Sequence, residues 1–141
     1  MKKIMTLLAA VLVVTFSAKA DHDQIINFNQ RLQTAQTLLK QHFAGTVPLV
    51  ITMDWDDYTI VYDSGESVEF DKEGNWKEFD CRTSQVPSAL IPEEIKKHIR
   101  ATFPGTTILD LDRNRLGYEV KLNNGLEVEY DRNFQVIDID D

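Results

Sequence analysis

The sequence predicts an α+β fold of two tandem units, each a helix followed by a four-stranded antiparallel meander, with the helices packed on one sheet face. Three observations carry that expectation. Residues 118–131, YEVKLNNGLEVEYD, alternate apolar and polar residues on both sides of an Asn-Gly, a strong local hairpin signal. Residues 58–71, YTIVYDSGESVEFD, align with that stretch at an offset of sixty. The offset extends beyond the hairpins. Phe43, Gly45, Thr46, Leu49, Tyr58, Gly65, Val68, Glu69, Asp71 and Asp80 each meet the identical residue sixty positions on, without a gap, as an internal repeat does. Finally, each hairpin follows a stretch with apolar residues at helical spacing.

The register of the second hairpin follows from face sharing, because residues directly opposite on paired strands project to the same side. A two-residue loop at Asn124-Gly125 sets Leu122 against Glu127 and mixes the faces. A three-residue loop, Asn123-Asn124-Gly125, pairs Leu122 with Leu126, Val120 with Val128 and Tyr118 with Tyr130. It also puts glycine at the left-handed last position. The first hairpin has Asp63-Ser64-Gly65 in the same place.

Residues 1–20 read as a secretory signal peptide. Lys2 and Lys3 precede an apolar run over residues 4–16, and Ala18-Lys19-Ala20 is a small-x-small cleavage site. The run is shorter than the ~20 residues that span a bilayer. Residues 21–141 then form one domain of two repeats, about 25–81 and 86–141, destined for the periplasm or the exterior of a Gram-negative cell. One copy alone is close to the size at which a core becomes marginal, so two copies sharing a core is the economical arrangement.

The first copy opens with a helix over residues 29–43, with Leu32, Ala35, Leu39 and Phe43 on one stripe and Gly45 as a left-handed cap. A strand over 46–54 leads through Asp54-Trp55-Asp56-Asp57 into the hairpin. Asp71-Lys72-Glu73-Gly74 turns the chain into a last strand over 76–80. The second copy opens with Pro92-Glu93-Glu94, suited to the first helical turn, and a stripe of Ile95, Ile99 and Phe103. Pro104-Gly105 stops it. Strands follow over 106–112, 116–122, 126–131 and 134–140. Phe134 stands where the first copy has Gly74, so the last turn is expected to be built differently.

The run F-P-G-T followed by a strand and YEVKLNNGLEVEYD resembles the PepSY-like, β-lactamase-inhibitor-like family of exported bacterial proteins. The first copy shows the same pattern as F-A-G-T and YTIVYDSGESVEFDKEGNWKEFD, so the resemblance covers nearly all of residues 21–141. It implies a helix-plus-meander tandem fold and a role in binding or inhibiting partner proteins, peptidases and β-lactamases among them. It brings no catalytic residues.

Charge narrows the function classes. The chain carries −8; without residues 1–20, which hold three lysines and no acids, 12 basic residues face 23 acidic ones, a net of −11. Nucleic acid and anionic membrane surfaces are poor partners for such a chain. Cys81 is the single cysteine, so no intrachain disulfide forms; it is a buried small residue, an intermolecular link or a reactive thiol.

Chemical motifs are weak. Asp110, Asp112 and Asn114 have the one-three-five spacing of a calcium loop, but Arg115 and Lys121 stand where glycine and glutamate belong. His22, His42 and His98 lack ligand spacing, and nothing in the sequence brings Cys81 and His98 together. Phosphate loops, dinucleotide fingerprints and nucleophile elbows are absent from the sequence. No enzyme, cofactor or metal is expected.

The open sheet face is the better candidate. Strand parity gives it Thr59, Glu69, Trp76 and Glu78 from the first copy and Asp110, Asp112, Glu119, Glu127, Glu129 and Asp138 from the second. The bland reading is a solvated face. The functional one is a protein-docking surface built on Trp76, Glu69, Glu78, Glu119, Glu127 and Glu129, with Trp55 as a second anchor. The expectation is an exported, non-enzymatic protein-binding module that modulates a peptidase or other envelope enzyme. The alternative is a metal-responsive or enzyme-accessory envelope protein.

Overall fold

In a computed structural model of the chain, which describes residues 35, 37–82 and 84–141, eight strands form one antiparallel sheet in sequence order. They are β1 (Pro48–Asp54), β2 (Asp57–Tyr62), β3 (Ser67–Asp71), β4 (Trp76–Asp80), β5 (Ile108–Arg113), β6 (Gly117–Leu122), β7 (Glu127–Asp131) and β8 (Val136–Asp140). Residues 35 and 37–42 are helical, Ser88–Leu90 is a 3-10 turn, and Glu93–Thr102 is a ten-residue α-helix. Residues 1–20 and the start of the first expected helix lie outside the described residues.

Each expected strand is present, with its ends shifted by at most two residues. The arrangement differs. The expected pair of tandem helix-plus-four-strand repeats is corrected to a single eight-stranded antiparallel sheet. The cause lies at β4, which pairs with β5 through Glu78 and Asp112, Phe79 and Leu111, and Asp80 and Asp110. Separate meanders would leave β4 and β5 as edges with bare N–H and C=O groups, and pairing them satisfies both rows.

The chain divides into two compact units after Trp76. In the first, Ala35, Leu39 and Phe43 are buried along with Ile51, Ile60, Tyr62, Val68 and Phe70. Phe43 stacks on Tyr62 with ring centroids 5.6 Å apart. The β2–β3 hairpin pairs Tyr58 with Phe70 and Ile60 with Val68. Its Gly65, at φ 90°, donates its N–H to the Tyr62 carbonyl at 3.0 Å. Gly45 is not left-handed, contrary to expectation; Thr46 closes the turn instead, its Oγ1 donating to the Phe43 carbonyl at 2.9 Å. The Tyr62 hydroxyl is buried without a hydrogen-bond partner among the described residues.

In the second unit Phe79, Leu111, Val120 and Val128 are fully buried, with Tyr130 and Leu122 nearly so. The Glu93–Thr102 helix buries Ile95 and Ile99, and His98 Nδ1 shares a 2.7 Å hydrogen bond with Tyr130 Oη. Pro92 caps this helix, Glu93 and Glu94 fill its first turn, and Arg100 lies in its last, each on the side the helix dipole favours. The β6–β7 hairpin has the register of the three-residue loop: Tyr118 faces Tyr130, Val120 faces Val128 and Lys121 faces Glu127.

Phe134 does not change the last turn. It takes the left-handed conformation itself, at φ 63° against 88° for Gly74. Both turns use an aspartate the same way: Asp71 Oδ1 accepts from the N–H groups of Glu73 and Asn75, and Asp131 Oδ1 from those of Asn133 and Gln135. The left-handed backbone costs about 1–2 kcal/mol for a residue with a Cβ. Phe134 stacks on Tyr118 at 5.2 Å between centroids, and such pairs return about 0.5–1.5 kcal/mol.

Two substitutions test this packing by chemical denaturation. At Gly117, φ is 150° and an added Cβ would lie 2.0 Å from the Tyr130 carbonyl oxygen. Gly117→Ala is expected to cost about 3 kcal/mol, since backbone has to move. Tyr62→Phe removes a buried hydroxyl that bonds to none of the described residues, so stability is expected to hold or rise by about 1 kcal/mol.

Candidate functional site

Strand parity gives the second unit two very different faces. Along β4 to β8, one set of positions carries the core side chains. The other carries two cross-strand rows. The first row runs Glu78, Asp112, Glu119, Glu129, Asp138. The second runs Asp80, Asp110, Lys121, Glu127, Asp140. Nine carboxylates thus share these rows with one lysine. Neighbouring strands are ~4.8 Å apart, so each carboxylate has another within roughly one strand spacing.

The rows are not uniformly wet. Asp80 is 8% exposed and Asp110 6%, although both belong to the polar set. A register shift between Ile108 and Asp110 bulges β5 at this point, a common device beside functional sites. Asp80 is matched by Arg82, whose Nε lies 2.9 Å from Oδ2 and whose Nη2 lies 2.8 Å from the same oxygen. Asp110 accepts no hydrogen bond and makes no ion pair among the described residues. Lys121, opposite Asp110 in the register, has its Nζ 3.7 Å from Glu127 Oε1. One oxygen each from Glu78, Asp80 and Asp110 lies within 4.8 Å of the other two.

Electrostatics follow this geometry. Burial, and then the charge of Asp80, pushes the Asp110 carboxyl up to about 7. Burial, and then the charges of Glu127, Glu129 and Asp112, holds Glu119 above the usual carboxylate range.

The sequence-derived set divides between the units. Glu78, Glu119, Glu127 and Glu129 come together on the rows of the second unit. Glu69 belongs to the first unit, half-buried opposite Thr59. Trp76 is half-buried at the start of β4, with the parity of Glu78. Trp55 is 98% exposed at φ 39° in the β1–β2 turn. Asp80 and the burial of Asp110 escaped sequence reasoning, because both depend on the pairing of β4 with β5. The spacing of Asp110, Asp112 and Asn114 reflects strand alternation: Asp110 and Asp112 are i, i+2 neighbours on β5. Cys81 is fully buried, and His98 engages Tyr130.

Residues 56–138 match the family described as putative beta-lactamase-inhibitor-like, PepSY-like. The chain belongs to this family. Solved structures of similar sequence have the same fold. A DUF2874-family protein from Bacteroides vulgatus, described as a putative periplasmic protein, is 42% identical, with 81% of this chain and 93% of that chain covered at a TM-score of 0.76. A protein from Bacteroides thetaiotaomicron, described as a putative calcium-regulated periplasmic protein, is 38% identical over 81% of this chain and 93% of its own, at a TM-score of 0.75. A second B. vulgatus protein, described as a putative periplasmic protein of unknown function, is 34% identical over 76% and 89%, at 0.72. No curated protein matches. No helix among the described residues is long and apolar enough to cross a membrane.

The Asp110 shift fixes a sign for pH dependence. Its folded pKa is raised from 3.8 to about 7, so the folded state holds a proton that the unfolded state releases. Its contribution to stability is full below pH ~4 and is lost as pH rises through ~7. In chelator-containing buffer at pH 8, Asp110→Asn is expected to stabilise the protein by on the order of 2 kcal/mol, with a much smaller gain at pH 4. Denaturant midpoints at the two pH values check both magnitudes.

Proposed function

We propose that this PepSY-like chain is an exported, non-enzymatic binding module of the bacterial envelope, and that the acidic rows of its second unit dock a protein partner bearing basic groups. One observation carries the reading: the rows set nine carboxylates against one lysine on a single face of β4 to β8. Such a face attracts a basic surface over several ångströms and speeds encounter. The inhibitor-like description of the family and the periplasmic descriptions of the relatives favour an envelope enzyme, a peptidase among them, as the kind of partner.

A second reading, an envelope protein that responds to a divalent cation, is favoured by the B. thetaiotaomicron relative described as calcium-regulated and by the closeness of the Glu78, Asp80 and Asp110 carboxylates.

The docking reading is tested by charge reversal in the middle of the rows. A partner is captured from envelope extract, and its association with purified protein is followed by surface plasmon resonance. Glu119→Lys with Glu129→Lys is expected to slow association about tenfold at low salt, and wild-type association to fall as salt is raised. The melting temperature should not drop: the two lysines still face each other, but each then also faces an aspartate, Asp112 or Asp138, where a glutamate had faced it before. Association equal to wild type at every salt concentration removes the rows from the interface.

A further inference from the structure

We propose that Glu78, Asp80 and Asp110 form a binding site for a calcium-class divalent cation where β4 pairs with the bulged β5, with Arg82 as the tethered charge that occupies part of it when no ion is bound. The inference rests on the cation-responsive reading and is independent of the docking reading.

Acidic side chains on a wet sheet face need no ligand. This cluster differs in one respect: Asp110 is 6% exposed and yet has neither a hydrogen-bond donor nor an ion-pair partner among the described residues. Burying an unpaired carboxylate is expensive, and folded proteins match such groups with a cation, a donor or a proton. The one cross-strand base, Lys121, lies 3.7 Å from Glu127. Arg82 is bonded to Asp80.

The donor set selects the ligand. It offers carboxylate oxygens and no nitrogen or sulfur, as hard cations prefer. Two oxygens bound to one calcium ion at ~2.4 Å can be at most about 4.8 Å apart. The three oxygens of Glu78, Asp80 and Asp110 meet that limit. Magnesium demands a tighter octahedron and gives up water reluctantly, so calcium is favoured. Three carboxylates without a dedicated loop match the weak affinities of extracellular calcium modules, Kd about 10⁻⁴–10⁻³ M.

Arg82 makes the site adjustable. Its side chain is 81% exposed, so it can leave Asp80 for water when an ion arrives. The ion and the guanidinium compete for the same carboxylate.

The test is calorimetric melting of the full chain, stripped with chelator and titrated with calcium chloride at pH 7.5. Wild type is expected to gain about 5 °C at a calcium concentration tenfold above its Kd, and magnesium to bind at least tenfold more weakly. Asp110→Asn is expected to melt no lower than wild type in chelator and to lose the calcium shift. Arg82→Ala is expected to melt lower in chelator and to gain more from calcium than wild type does, a rescue that a purely structural arginine would not show. Equal calcium shifts in wild type, Asp110→Asn and Arg82→Ala would leave the protein cation-responsive and place the site elsewhere. No calcium shift in wild type would overturn this site and the cation-responsive reading together, while leaving the docking test untouched.

Discussion

The three-residue loop at Asn123 to Gly125 fixes the register on which the second unit depends. Gly125, at φ 92°, donates its N–H to the Leu122 carbonyl at 3.0 Å, and Leu122 N–H reaches the Leu126 carbonyl at 2.9 Å. Side chains alternate with a period of two, so a slip of one residue would exchange the two faces of β7 against β6. Val128 and Tyr130 would then face the polar side, and Glu127 and Glu129 would enter the core. Val128, fully buried, and Tyr130, nearly so, are the β7 side chains that such a slip would expose, and they oppose it at roughly 1.5–3 kcal/mol each. A pair of like charges facing each other in water costs about 1 kcal/mol. The apolar face therefore holds the register that the loop sets, and the carboxylates are aligned as a consequence.

Alignment alone does not account for the chemistry of the face. Solvated carboxylates such as Glu129 carry a small penalty. Asp80 and Asp110 carry a larger one, because their pairing across β4 and β5 leaves both largely shielded from water. Serine or asparagine would fill these strand positions without that cost. The sequence keeps acids there, and local rules are broken most often where a site is needed. Arg82 relieves Asp80 with a bidentate contact, while Asp110 gains only the longer-range attraction of Arg82 and Lys121.

Much of the fold was legible because it is local. Asn-Gly and Ser-Gly loops, alternating parity and Pro92-Glu93-Glu94 placed both hairpins and the helix within a residue or two. The join of β4 to β5 was not legible. Those strands are separated by residues 81–107, and no pattern within either one specifies the partner. That join turns two expected meanders into one sheet and also buries Asp80 and Asp110, so the error in fold class and the omission in the site have one cause. Gly45 and Phe134 show the limit of reading turns from glycine. Thr46 closes its turn through the side chain, and Asp131 holds its turn firmly enough for a phenylalanine to be left-handed.

The edge of the sheet gives the acids a second role. β8 pairs with β7 and presents Val136, Ile137 and Ile139 at 42–58% exposure, an apolar strand with an open row of N–H and C=O groups. Edges of that kind recruit other strands unless charge prevents it. Asp138 and Asp140 end the two rows on this strand, and Asp141 follows. A second copy approaching in register would bring like charges together at each of these positions. The outer carboxylates thus protect the edge, which a solvated acidic face would do equally well. The inner ones, Asp110 above all, lie three strands in from β8 and cannot serve that purpose. Edge protection therefore explains the acids of β8, and the buried pair where β4 meets β5 requires a reason of its own.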